Sequence, residues 1–472
     1  MHNNIFLQQI LFIYMTPEHQ DFWFLPLGGT GEIGMNMNLY GHDGQWLMVD
    51  CGVIFENYSR LDGETGSCQR PHIQMADPKF IADQCKSLAG LVITHAHEDH
   101  IGAVPYIWEK LKCPIFTTAF TAEILRRKLT EVGLDGKVPV TIVEPNEILK
   151  IGVFSVEWVA LTHSIPEPYG MVISTPVGRV FHTADWKLDK KPVIGLPYNK
   201  EQYQELSKQK IDAMVCDSTN ANIVGWSVSE ASLYKGLKQH VTEAKGRVIV
   251  ACFGSNLARI HTLAKIAKET DRHLGLLGRS MVNMMSAAKS TGLWTTVETH
   301  IDSAHLGYLP SNTVLLVATG SQGEPRTALN RLSMNSFRDM ALEPGDTVIF
   351  SSKVIPGNEL SIEQMIERLK AMNVVVISED NSELPIHASG HPAQDELKAM
   401  YGWVAPHCAI PVHGEEHHLN ANARLAKHVG VKQQLLGKNG DLFYISPAIG
   451  IRRGAVKTGR LGVKGQTLIE IK

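Results

Sequence analysis

The chain has 472 residues, of which 44% are hydrophobic and 20% charged, and a formal net charge of −3. That length favours roughly two or three domains with cores of their own, and the balance excludes disordered, fibrous and strongly basic chains. A nucleic-acid partner would have to be held by a local basic groove, because the molecule as a whole supplies no attractive field.

Cys51, Cys68, Cys85, Cys113, Cys216, Cys252 and Cys408 are odd in number, scattered, and without a C-x-x-C pair. Such usage fits reduced thiols in the cytoplasm. The opening MHNNIFLQQILFIYM has an apolar patch but no Lys or Arg ahead of it and no small-residue cleavage site. It reads as neither a signal peptide nor a membrane span, so no membrane partner is expected. Residues 1–17 are expected to be a frayed extension, with Met15 as an alternative start.

Residues 22–27 and 37–50 read as strands, the second folded into a hairpin at Gly41-His42-Asp43-Gly44. Between them Gly29-Thr30-Gly31-Glu32-Ile33-Gly34 matches the dinucleotide fingerprint letter for letter. That fingerprint needs a helix directly after the glycines, and a strand pattern follows instead. The competing reading is a glycine turn that lets backbone pass close to a metal site.

The stretch LVITHAHEDHIG, residues 91–102, concentrates the chemistry: an apolar run ends in His95-x-His97-x-Asp99-His100. Imidazole and carboxylate are ordinary ligands of zinc and its neighbours. On a strand that turns into a helix, His95 and His97 share one side and face one metal, while Asp99 and His100 come a turn later and face a second. A shuffled chain of this composition would show the pattern only about two times in a thousand. The alternative is a polar helix start with solvated histidines.

Residues 103–112 and 121–131 have helical spacing, and residues 138–143 and 153–161 look like strands, the latter ending at His163. A strand at 178–182 ends at Asp185. A lone histidine after a strand is usually packed or solvated. A shared position at one sheet edge with His95 is what argues for ligation here.

From Cys216 to about Glu383, strands at 247–253, 313–319, 347–351 and 374–378 alternate with helices in a doubly wound manner. The turns GSN (254–256), GSQGEP (320–325) and PGNE (356–359) follow them, with Arg259, Arg326 and Lys353 close behind. Such turns leave N–H groups at helix starts, which suit phosphate or simple capping equally well. Histidines return in His387-Ala-Ser389-Gly390-His391 and Pro411-Val-His413-Gly-Glu415, joined by a helix at 394–402 and a strand at 408–412. This part is more like the beginning than the middle, so the middle reads as an insertion. The expected division is 18–215, an inserted 216–385, a return at 386–446, and a basic, turn-rich tail at 447–472 that ends in a strand-like TLIEI.

The stretches LPLGGTGEIGMN, ITHAHEDHIGAVPY, THSIPEP, TADWK, CDSTN, CFGSN, ATGSQGEP, PGNE, HASGH and PVHGE follow one another over about residues 24–445. In that order the chain resembles the metallo-β-lactamase superfamily, its β-CASP branch of nucleic-acid-processing hydrolases, and within it the ribonuclease J family. The resemblance implies an α/β fold, an αββα sandwich with an inserted β-CASP α/β domain. It implies hydrolysis of single-stranded RNA 5′ to 3′ from a 5′-monophosphate end, with internal cutting also open. Two divalent metal ions are implied, zinc first and manganese second: His95, His97 and His163 on one, Asp99, His100 and His413 on the other, Asp185 bridging. His391 becomes the general acid held by Asp217, whose alternative is an Asx turn. Ser255, Asn256, His387 and Ser389 become a pocket for the terminal phosphate, and a homodimer is expected.

The chain departs from the family in HSIPEP and TADWK, where HSIPD and GDFK are usual, and in stopping soon after the catalytic module. A small-molecule metallo-hydrolase acting on a thioester or lactone would use the same ligands but would not need the insertion. A single-stranded DNA nuclease on the same scaffold stays open. A noncatalytic RNA-binding scaffold would be expected to have lost ligands, and all seven candidates are present.

Overall fold

The computed structural model describes residues 15–56, 71–145, 147–295, 300–355, 357–465 and 467–471. The expected frayed extension up to residue 14, Cys68, and Pro356 of the PGNE turn lie outside the described residues. Of that extension, Met15 is buried and the Pro17 carbonyl accepts from Gly44 N at 2.6 Å, so residues 15–17 are docked and not frayed.

Two large sheets face each other. In the eight-stranded sheet, Phe22–Gly28, Met37–His42 and Gln45–Val49 run antiparallel, and Leu88–Val92 joins Gln45–Val49 in parallel. In the seven-stranded sheet, Phe154–Ala160, Tyr169–Thr175 and Gly178–His182 are antiparallel. Ala213–Asp217 and Cys408–Val412 then continue parallel to Gly178–His182. Alternation along the strands decides what lies between the sheets: Phe22, Phe24 and Tyr40 from one meet Phe154, Val156, Trp158 and Met171 from the other, all buried.

The outer faces carry helices. Ile107 and Leu125, from Val104–Leu111 and Ala119–Glu131, pack with Leu39, Trp46 and Leu91. On the far side Tyr203, Leu397 and Met400, from Lys200–Lys208 and Gln394–Val404, pack with Val172, Phe181 and Met214. The result is the expected four-layer αββα sandwich.

The insertion is a parallel five-stranded sheet in the order His273–Leu277, Val314–Ala318, Val248–Ala251, Thr347–Phe350, Val375–Ile377. Its central strands VLLVA and VIVA are apolar throughout, as burial on both faces requires. The Gly254–Asn256 turn lies at a strand C-terminal end, where open α/β sheets gather ligands.

Gly29, Gly31 and Gly34 all have positive φ (84°, 86° and 90°), and the chain goes on into Met37–His42 without a helix. The turn is therefore a close-passing glycine loop and not a dinucleotide site. The tail is part of the fold: Arg460–Lys464 pairs with Ile73–Ala76 and Thr467–Ile471 in a four-stranded sheet. Arg460 Nη2 lies 2.5 Å from Glu32 Oε2, which ties that sheet to the glycine loop. Among the described residues no helix is long and apolar enough to cross a membrane.

Candidate active site

The candidate ligands do not share one sheet edge as expected: His95 leaves a strand of the eight-stranded sheet, whereas His163, Asp185 and His413 follow strands of the facing seven-stranded sheet. Leu88–Val92 runs out into His95, and His97 is the N-cap of the short helix Glu98–Ile101, which carries Asp99 and His100. The parallel strands Gly178–His182, Ala213–Asp217 and Cys408–Val412 bring Asp185, Asp217 and His413 to a common edge. His163 follows Phe154–Ala160.

They converge as two groups. His97 Nδ1 is 3.0 Å from His95 Nε2 and 3.0 Å from His163 Nε2. Beside this triad, His100 Nε2 is 3.4 Å from Asp99 Oδ2 and 3.2 Å from Asp185 Oδ2, and His413 Nε2 is 3.2 Å from Asp99 Oδ2. Within each group the ligand atoms lie within 4.8 Å of one another. Asp185 stands between them, its Oδ2 also 3.8 Å from His163 Nε2. All seven sequence-identified ligand candidates are thus brought together.

The donor set fits divalent metal. Each of the five imidazoles turns one nitrogen into the cluster, while the other is held by the protein. His95 Nδ1 is 3.0 Å from Thr94 Oγ1, His97 Nε2 3.0 Å from Ser255 Oγ, and His100 Nδ1 2.7 Å from Asp50 Oδ2. His163 Nδ1 is 2.6 Å from the Gly390 carbonyl, and His413 Nδ1 3.0 Å from Thr219 Oγ1. Asp185 Oδ1 is buried and makes no hydrogen bond, although His413 Nδ1 stands 3.4 Å away. A buried carboxylate oxygen without a hydrogen bond is costly, and coordination satisfies it.

Electrostatics split the cluster. Burial, reinforced by neighbouring histidines, lowers the pKa of His95 and His163 well below the ordinary value. Burial also brings His97 down to about 4, despite the opposing Asp99. These are neutral imidazoles, the form that ligates. Burial opposes charge on Asp99 and Asp185, but the surrounding His100 and His413 overcome it and hold both carboxyls well below their usual range.

His391 Nδ1 lies 2.8 Å from Asp217 Oδ2. Burial works to lower the His391 pKa, and Asp217 and Asp185 outweigh it, so the net shift is upward. Asp217 Oδ1 accepts from Thr219 N and Thr219 Oγ1, both at 2.8 Å. Asp217 thus makes the Asx turn with one oxygen and contacts His391 with the other. Asp185, Asp217, His391 and His413 also form a compact group. The His391 side chain is 21% exposed, and its Nδ1 is committed to the fully buried Asp217 carboxylate.

Of the phosphate-pocket candidates, Ser255 touches His97. Asn256 Oδ1 caps Leu257–Glu269 by accepting from Arg259 N at 2.9 Å, so the capping alternative holds for that oxygen. His387 Nδ1 is 3.3 Å from the Ser351 carbonyl, and burial, then the Arg259 charge, lowers its pKa to about 3. Ser389 Oγ accepts from Asn220 Nδ2 at 2.8 Å and His391 N at 3.2 Å, which leaves its proton to donate. Arg259 is fully buried, 2.6 Å from Glu230 Oε1 and 2.8 Å from the Ser351 carbonyl. It is a structural ion pair and not a phosphate contact.

Asp50, Thr94, Thr219 and Gly390 were not singled out from the sequence. The available signal for Asp50 was its place directly after the buried strand Gln45–Val49, beside the His95 strand.

The metallo-beta-lactamase superfamily model matches residues 31–211, the ribonuclease J beta-CASP domain model residues 245–369, and the Zn-dependent metallo-hydrolase RNA specificity domain model residues 385–435. A ribonuclease J from Sinorhizobium meliloti is 39% identical over 434 residues, 91% of this chain and 75% of its own length. A ribonuclease J from Mycolicibacterium smegmatis is 37% identical over 443 residues, 93% of this chain and 77% of its own. A crystal structure of a protein of unknown function from Enterococcus faecalis V583 has a TM-score of 0.61 at 15% identity. It covers 90% of this chain and 100% of the other, a likeness of fold alone.

Proposed function

The chain belongs to the ribonuclease J family, and from that premise we propose that this metal-dependent ribonuclease degrades single-stranded RNA 5′ to 3′ from a 5′-monophosphate end. The observation that carries the reading is the ligand cluster in which all five imidazoles have one nitrogen turned inward and the other held by protein. His95, His97 and His163 would hold one divalent ion, Asp99, His100 and His413 a second, and Asp185 both. Five imidazoles favour zinc, and the carboxylates keep manganese as the second choice. Ions so held supply an activated water at neutral pH and positive charge for the phosphate oxygens.

The remaining steps belong to the chain. Asp217 orients His391 and supports its protonated form, so His391 gives its proton to the leaving 3′ oxygen. Ser255 and Ser389 offer hydroxyls to a terminal phosphate, with the neutral His387 beside them, its Nδ1 turned to the Ser351 carbonyl, and such a pocket needs no large bulk charge. Holding that phosphate places the next phosphodiester over the metal cluster, and such positioning lowers the barrier substantially. The described cysteines are free, which supports a reducing cytoplasmic setting. A homodimer completes the reading, and light scattering that finds a monomer at micromolar protein removes that element.

The test is end-labelled RNA carrying a 5′ monophosphate, hydroxyl or triphosphate, beside single-stranded DNA, with and without chelator. Mononucleotides should be released fastest from monophosphate RNA and not at all with chelator. Equal cleavage of all three RNA ends overturns the end-recognition reading, and preferred cleavage of DNA overturns the substrate.

A further inference from the structure

Just beyond Asp217 the chain makes a loop, residues 220–229, whose exposure and rigidity do not match. Ile223, Val224, Trp226 and Val228 are 42%, 81%, 52% and 40% exposed. One exposed apolar side chain is ordinary, but four within six residues form a patch. The backbone beneath them is tied down at nearly every step. Asn220 Nδ2 donates to Ser389 Oγ at 2.8 Å and to the His391 carbonyl at 3.3 Å. The Ile223 and Gly225 carbonyls accept from Gln394 N and Asp395 N, both at 2.9 Å. Ser227 N and Oγ each reach the fully buried Glu396 at 2.8 Å, and Lys187 Nζ donates to the Val228 carbonyl at 3.0 Å.

The loop is therefore a stiff rim laid along residues 389–396, with its aromatic ring outward. Its far end is held by Asp189, whose Oδ1 accepts from Ser229 Oγ at 2.6 Å, and the next two residues in the chain, Lys190 and Lys191, are both exposed. A rigid exposed ring on a loop anchored at its start to the His391 carbonyl, with a pair of exposed lysines at its far end, is what single-stranded nucleic acid requires, a face for a base and cations for phosphates. Rigidity matters because a platform already ordered loses little entropy when a base settles on it.

We propose that Trp226 is a base-stacking platform that positions one nucleotide of the RNA substrate beside His391, with Lys190 and Lys191 contacting the adjoining phosphates. The proposal rests on the ribonuclease reading and adds a positioning residue to it.

The experiment compares full-length wild type, Trp226→Ala and Trp226→Phe on 5′-monophosphate single-stranded RNA and on bis(p-nitrophenyl) phosphate, a diester with no nucleobase. Loss of one stacked base corresponds to about 5- to 150-fold. The ratio of kcat/KM for RNA to that for the ester should fall by that factor in Trp226→Ala, carried by KM, and recover largely in Trp226→Phe. An RNA with one abasic nucleotide, walked along the 5′ region, should show a position where wild type loses as much as Trp226→Ala and the variant loses nothing more. An unchanged RNA-to-ester ratio overturns the proposal, as does an abasic walk whose cost is the same in both proteins at every position. Equal loss on both substrates, unrelieved by Phe, makes Trp226 a structural residue and also overturns it. A wild type that cuts the ester but no RNA removes the ribonuclease reading first, and the platform with it.

Discussion

Asp50→Asn probes the support behind one candidate metal ligand, His100, without altering that residue. Asp50 is fully buried, and its oxygens take three donors: Thr94 N at 2.8 Å on Oδ1, Thr94 Oγ1 at 2.9 Å and His100 Nδ1 at 2.7 Å on Oδ2. Asparagine has the same shape, so packing is kept. If the amide oxygen stays on Thr94 N, the NH2 group faces His100 Nδ1, which must then accept. The ring proton moves to Nε2, the nitrogen that faces Asp99 and Asp185, and a protonated nitrogen cannot ligate. If the amide flips, Thr94 N loses its acceptor in a buried site, at a cost of about 1–3 kcal/mol. Loss of such a partner typically lowers metal affinity about 10- to 100-fold. Titration of metal-stripped protein with zinc against a chromophoric chelator should show that loss at the Asp99/His100/His413 site, with the His95/His97/His163 site within a few-fold of wild type. Wild-type affinity at both sites would refute the argument, and equal loss at both would point to a fold defect, which circular dichroism would register.

Asp185→Asn should reduce both metal occupancy, by elemental analysis, and RNA cleavage, since Asp185 reaches both groups; full loading at normal rate sinks the bridging role. His391→Ala should keep both metals and bind RNA while losing about a hundredfold or more in kcat, the scale of a general acid; loss of metal instead would make it a ligand. Ser389→Ala should weaken the preference for a 5′ monophosphate over a 5′ hydroxyl with metal content intact, and an unchanged end preference removes it from the pocket. Ser255→Ala should lower end preference and zinc affinity together, because its hydroxyl also holds His97; unchanged zinc affinity would separate the two roles.

The candidate ligands were legible because ligand-type residues stand just past apolar strand runs, although the strand before His95 and those before His163 and Asp185 belong to two facing sheets and not to one edge. The partners that orient those ligands were not. Asp50 and Thr219 are common residue types, separated in sequence from the imidazoles they hold by 50 and 194 positions. Arg259 could not be assigned from the sequence for the same reason: its turn suits phosphate and capping equally, and the partner that decides it, Glu230, lies 29 residues earlier on another element. Tyr169–Thr175 and His273–Leu277 were missed as strands because YGMVIST and HLGLL carry an internal glycine and no clean alternation. The tail's pairing with Ile73–Ala76 is a contact between chain ends that no local pattern encodes.

The segment Ser389-Gly390-His391 links the parts of the proposed reaction. The Gly390 carbonyl orients His163, and a Cβ on Gly390 would sit 2.6 Å from His163 Cε1, so the metal triad needs glycine there. Ser389, on one side, offers its hydroxyl to the terminal phosphate; His391, on the other, offers a proton to the leaving oxygen. Two residues of chain span at most about 7 Å. Ser389 and His391 are thus held close together, which suits action on the two ends of one nucleotide. On this reading the unit released is a mononucleotide. Lengthening the segment by one residue would move the acid and the His163 support together, so a change of product length cannot be obtained there without loss of the metal site.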